Sequence, residues 1–91
     1  MSWRIEYTRT AETQLRKLDK QIARRIIDYL DGNIALLDNP RARGKALSGI
    51  LGELWRYRIG DYRILCEIQD NIMRVLVVEV GHRKHIYKGQ T

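Results

Sequence analysis

Apolar residues recur at Ala11, Leu15, Leu18, Ile22, Ile26 and Leu30, spaced three or four apart, with Arg16, Lys17, Lys20, Arg24 and Arg25 between them. That spacing lines one side of an α-helix with apolar groups and leaves the charges in water. Thr8 or Thr10 can cap the start, with Glu12 in the first turn. Asp19 offers a second cap, so the stripe is expected to form two helices meeting near 18–20. Asn39-Pro40 stops the second helix, because proline lacks an N–H and disfavours helix in the residue before it.

Elsewhere the period is two. Trp3 and Ile5 alternate with Arg4 and Glu6, which predicts a strand over 3–8. The stretch 41–53 holds Gly44, Gly49 and Gly52 and shows no period, so it is expected to be a loop, anchored by Leu47 and Ile50. Three strands then follow, over about 54–59, 62–69 and 72–80. Gly60-Asp61 is a two-residue hairpin signal, and Asp70-Asn71 reads as a second tight turn. Gly81 is expected to end the last strand. The order is β-α-α-β-β-β. It predicts an α+β domain in which an N-terminal helical hairpin packs on a mostly antiparallel four-stranded sheet.

The first hairpin fixes a register. With Gly60 and Asp61 as the turn, Ile59 opposes Tyr62 and Arg58 opposes Arg63. Trp55, Tyr57 and Ile59 then share an apolar face with Tyr62, Ile64 and Cys66, which should bury against the helices. The other face carries Arg56, Arg58 and Arg63. Like charges directly opposite each other destabilise a sheet. Three arginines with no acid opposite favour an anion-binding face over a merely solvated one. The arginine fork suits phosphate. Lower on the same face, Glu67 and Arg74 are expected to pair.

Composition narrows the partner. The chain has 91 residues, enough for a single domain spanning 1–91. It carries 17 Lys and Arg against 11 Asp and Glu, a net charge of +6, with a pI near 9.8. Such a balance points to an anionic partner, nucleic acid first. The lone cysteine, Cys66, sits in an apolar stretch and reads as a buried, inert thiol. Residues 1–10 lack the apolar core of a secretory signal, and no stretch approaches the ~20 apolar residues of a membrane span. The cytoplasm is the expected compartment, with no membrane partner.

The segment Gly81-His82-Arg83-Lys84-His85-Ile86-Tyr87-Lys88 is the densest set of phosphate-binding and proton-transfer groups in the chain. Two histidines without nearby acids or cysteines make a poor ligand set, so no metal and no cofactor are expected. No phosphate-cradling glycine motif and no Ser-His-Asp arrangement is present.

Gly52-Glu53-Leu54-Trp55-Arg56-Tyr57-Arg58-Ile59-Gly60-Asp61-Tyr62-Arg63-Ile64 resembles the central block of the RelE/ParE superfamily of bacterial toxins. Gly81-His82-Arg83-Lys84-His85-Ile86-Tyr87 resembles its C-terminal signature, and Asn39-Pro40 and Lys45-Ala46-Leu47-Ser48-Gly49 also fit. The resemblance spans nearly the whole chain. For the RelE-like branch it implies the toxin of a type II toxin–antitoxin system. Such a toxin is a ribosome-dependent endoribonuclease, an mRNA interferase cutting in the A site by 2′-OH attack.

It also implies a cognate RelB-like antitoxin from the same operon, a toxin–antitoxin hetero-oligomer, and mRNA and the ribosome as partners. Carried onto this sequence, Arg56, Arg58, Lys45 and Lys84 would bind RNA. Arg63 would hold the substrate phosphate, and Arg83 and Tyr87 would belong to the active site. His82 and His85 are alternatives to Tyr87 for the proton-transfer role, and the base is left open among them. Two other readings share the fold: a ParE-like DNA gyrase inhibitor, and a catalytically degenerate toxin that only binds its antitoxin.

Overall fold

The structure, a computed structural model, describes residues 2–47 and 54–82. The elements run β1 (Arg4–Tyr7), α1 (Arg9–Lys17), α2 (Lys20–Gly32), β2 (Lys45–Ala46), β3 (Trp55–Ile59), β4 (Tyr62–Gln69) and β5 (Arg74–His82). Short 3₁₀ turns lie at Ile34–Leu36, Pro40–Ala42 and Asp70–Ile72.

Both expected caps form. The Thr8 hydroxyl accepts the Ala11 N–H at 3.1 Å, and the Asp19 carboxylate accepts the Gln21 N–H at 3.1 Å. The second helix stops sooner than expected, at Gly32. Ile34–Leu36 then turn more tightly and bury Ile34 and Ala35. The apolar stripe faces the sheet: Ala11, Ile26 and Leu30 are fully buried beside Ile64, Cys66 and Val77. Full burial of one such aliphatic side chain contributes about 1.5–3 kcal/mol. Burial also raises the Cys66 thiol pKa, which keeps it protonated and inert.

The sheet corrects the expected one. It has five strands in the order β1-β5-β4-β3-β2, and β1 runs parallel to β5. The fifth strand is β2, which lies within the expected loop. It is two residues long, too short for any period to show. The first hairpin has the expected register, Ile59 opposite Tyr62 and Arg58 opposite Arg63.

The second hairpin does not. Asp70–Ile72 turn as a 3₁₀ segment and Met73 follows in the left-handed region at φ 50°, so β5 starts at Arg74. Gln69, not Glu67, therefore opposes Arg74. The expected Glu67–Arg74 pair is replaced by a relay. Arg74 reaches Glu6 at 3.0 Å and donates to the Gln69 amide oxygen, while the Gln69 amide N–H donates to Glu67. Gly81 does not end the strand. It sits within β5, opposite Arg63.

The link from helices to sheet is pinned by side chains. The buried Tyr57 hydroxyl donates to the Pro40 carbonyl at 2.8 Å. Trp55 Nε1 donates to the Arg43 carbonyl at 2.6 Å, and Arg41 makes two hydrogen bonds, at 2.8 and 2.9 Å, to the Asp70 carboxylate. The Arg41 bonds hold the Asp70 carboxyl below its usual range. No helix among the described residues is long and apolar enough to cross a membrane.

Candidate nucleic-acid interface

β2, β3 and β4 place four cations on the face turned away from the helices. Arg58 stands directly opposite Arg63, and Arg56 stands between Lys45 on β2 and Leu65 on β4. Strand alternation puts Arg56, Arg58 and Arg63 on the side opposite Tyr57 and Ile64, which are fully buried. Arg58 and Lys45 are exposed, and Arg56 and Arg63 are half-buried. Lys45 thus extends the arginine face to the sheet edge.

The two ends of this face differ in charge balance. Near the β1 edge, Arg4 and Arg74 both pair with Glu6, at 3.8 and 3.0 Å. Near the β3–β4 hairpin, none of Lys45, Arg56 and Arg58 takes part in an ion pair among the described residues. Two acids border this end by register: Glu67, two residues along β4 from Leu65 and so diagonal to Arg56, and Glu79, opposite Leu65 and diagonal to Arg63. A positive strip therefore runs from the β2 edge toward the centre of the sheet.

At that edge a cleft of about 270 Å³ opens, lined by Tyr29, Gly44, Lys45, Arg56 and Arg58. Tyr29 is half-buried on α2, and its ring meets the Tyr57 ring edge-on, with centroids 6.3 Å apart. Gly44 lies at φ +81°, and a Cβ there would come within 2.4 Å of the Arg56 carbonyl oxygen and 2.6 Å of Trp55 Nε1. Only glycine lets the chain cross β3 this closely and bring Lys45 against Arg56. Gly44→Ala is expected to lower stability by about 1–3 kcal/mol, the range for a strained backbone position. An unchanged urea midpoint would show that the close approach is not needed.

The expected site residues divide. Lys45, Arg56, Arg58 and Arg63 come together. His82 does not join them: it opposes Tyr62, in register with the helix-covered face, and the two rings pack edge-on at 5.5 Å. Arg83, Lys84, His85 and Tyr87 lie outside the described residues. The sequence reading missed Tyr29 and the role of Gly44. The available signal was an aromatic one residue from Leu30 on the apolar stripe, and a glycine just before the family-like Lys45 segment. Among the described residues, no group of three or more His, Cys, Asp or Glu could hold a metal ion.

Comparison with known proteins agrees with this fold. Toxin RelE of Mycobacterium tuberculosis is 33% identical over 86 residues, covering 94% of this chain and 87% of the relative. Toxin RelG of the same organism is 31% identical over 88 residues, covering 97% and 99%. The crystal structure of the toxin–antitoxin complex RelBE2, also from M. tuberculosis, superposes with a TM-score of 0.83 at 29% identity. That match covers 91% of this chain and 93% of the other. The model of the family described as the ParE toxin of the type II toxin–antitoxin system matches residues 5–87. The chain therefore belongs to the ParE toxin family of type II toxin–antitoxin systems, and with it to the RelE/ParE toxin superfamily.

Proposed function

We propose that this toxin is a ribosome-dependent endoribonuclease that cuts mRNA in the ribosomal A site. The observation that carries the reading is the cationic strip of Lys45, Arg56, Arg58 and Arg63 on one sheet face. Opposing Arg58 to Arg63 sets two like charges across the strands, an arrangement that a bound anion would stabilise. Phosphate is the anion that the arginine fork fits.

The reaction is attack of a ribose 2′-oxygen on the adjacent phosphorus. The 2′-O–P bond forms and the P–O5′ bond breaks. A base takes the 2′-OH proton, and an acid supplies one to the departing 5′-oxygen. Lys45, Arg56, Arg58 and Lys84 hold the RNA backbone. Arg63 and Arg83 offset the charge that grows on the phosphate, worth about 10²–10³-fold per well-placed donor. Tyr87 is assigned the proton transfer, a role a phenol (ordinarily near pKa ~10) fills near neutrality only where cations lower its pKa. His85 is the alternative base. His82 is less suited, since its register is with the helix-covered face. The mechanism assigns no role to a metal.

A RelB-like antitoxin, encoded in the same operon, is the expected cytoplasmic partner, because the similar RelBE2 structure is a toxin–antitoxin complex. A second reading is inhibition of DNA gyrase, favoured by the ParE description of the matching family. Primer extension on cellular mRNA after induction separates the two. We expect 5′ ends phased to codons. Intact mRNA with gyrase-linked DNA breaks would establish the second reading instead.

A further inference from the structure

We propose that the cleft of Tyr29, Gly44, Lys45, Arg56 and Arg58 is a nucleotide-binding subsite, which takes one base of a single-stranded RNA against Tyr29 and its phosphate against the cations. The inference rests on the RNA reading above and adds to it a residue and a place.

Three observations carry it. The first is chemistry. Lys45, Arg56 and Arg58, none in an ion pair among the described residues, line the cleft together with Tyr29. Cations beside an aromatic face are what single-stranded nucleic acid uses, phosphate on the former and base stacked on the latter.

The second is preorganisation. Tyr29 is braced edge-on by Tyr57, which is itself fully buried and hydrogen-bonded to the Pro40 carbonyl at 2.8 Å. A ring held this way loses little freedom when a base stacks on it.

The third is size and place. The cleft, about 270 Å³, lies below the roughly 300 Å³ at which pockets for drug-sized ligands begin. It has room for one base and its phosphate. A helix of an antitoxin, about 10 Å across, is too large for it. The cleft is also continuous with the strip, because Arg58 lines it and stands opposite Arg63. RNA crossing Arg63 and Arg58 toward the β2 edge enters it next, so Tyr29 would read a nucleotide beside the one being cut.

The test uses the full chain and a fluorescein-labelled hexaadenylate, followed by anisotropy. A matched probe carries abasic ribose in place of each nucleotide. Tyr29→Leu should weaken hexaadenylate binding by about 5- to 150-fold, the range for loss of one base stack. It should leave abasic binding and the salt slope unchanged. Tyr29→Phe should restore the lost affinity. Arg58→Gln should instead lower the salt slope by about 0.7. Circular dichroism and urea midpoints report on folding, which a purely structural role of Tyr29 would disturb without distinguishing the two probes.

Equal binding of hexaadenylate by wild type and a folded Tyr29→Leu overturns the proposal. So does preference for a hexaglutamate peptide that depends on Tyr29, which would make the cleft a protein-docking site. The two readings fail separately. A toxin that cuts mRNA but is indifferent to Tyr29→Leu loses only the subsite. A toxin that leaves mRNA intact but shows the Tyr29 effect loses only the nuclease assignment.

Discussion

Tyr87→Phe is expected to slow mRNA cleavage on programmed ribosomes by about 10²–10⁴-fold, the contribution of a general acid–base group. The change removes one oxygen and keeps the ring, so a loss of that size assigns the hydroxyl to proton transfer and not to packing. The 2′-OH is a poor nucleophile until its proton is taken. A phenol does this near neutrality only where cations lower its pKa from about 10. In the sequence, Arg83, Lys84 and Lys88 flank Tyr87 within four residues on either side. Single-turnover cleavage with a defined A-site codon is the measurement. The variant should also relieve growth arrest while still folding and binding its antitoxin. Full activity in soluble Tyr87→Phe would remove Tyr87 from the mechanism and leave a histidine, His85 or His82, as the candidate base. The rate would then fall as pH drops through about 6.5, where imidazole takes up its proton.

The arginine face was legible because a two-residue turn fixes the parity of the strands it joins. Gly60-Asp61 set Ile59 opposite Tyr62, and every facing assignment from Trp55 to Cys66 followed from alternation. The next turn does not keep that parity. Asp70-Asn71 looked like a two-residue turn, but Ile72 and Met73 belong to it as well, and nothing in a methionine announces a φ of 50°. The register moved by two residues, and the Glu67–Arg74 pair became a relay through Gln69. β2 was invisible for a different reason. Its pairing is imposed by contacts distant in sequence, Trp55 Nε1 on the Arg43 carbonyl and β3 packed against Gly44, and not by its own residues. The parallel pairing of β1 with β5 lies equally outside what periodicity reports, because a strand's pattern does not name its neighbour. Tyr29 sits next to Leu30 on the helical stripe, where an aromatic reads as core. Only the position of β2 turns it into the wall of a cleft. The positions of Arg56, Arg58 and Arg63 thus came from physics. The role in cutting RNA proposed for them rests on resemblance.

Arg58→Glu should separate stability from activity, moving them in opposite directions. Arg58 and Arg63 face each other across β3 and β4, and like charges at that spacing destabilise a sheet, whereas opposite charges contribute about 0.2–1 kcal/mol. Glutamate at 58 turns repulsion into attraction, so stability should rise by about 0.5–1 kcal/mol, read as a higher urea midpoint. The gain should shrink in salt, because Arg58 is exposed and the screening length is only about 8 Å at physiological ionic strength. Cleavage should fall by about 10- to 150-fold, the loss of one charge-assisted hydrogen bond, since the cation proposed to hold phosphate is replaced by an anion that repels it. Arg58→Gln should lie between the two on both scales. A scaffold selected for stability alone would have taken the acidic residue. Under the proposed RNA reading, a phosphate bound at the pair would offset that cost to folding. A destabilised Arg58→Glu that still cuts mRNA would show the pair to be structural, and the strip would then begin at Arg56.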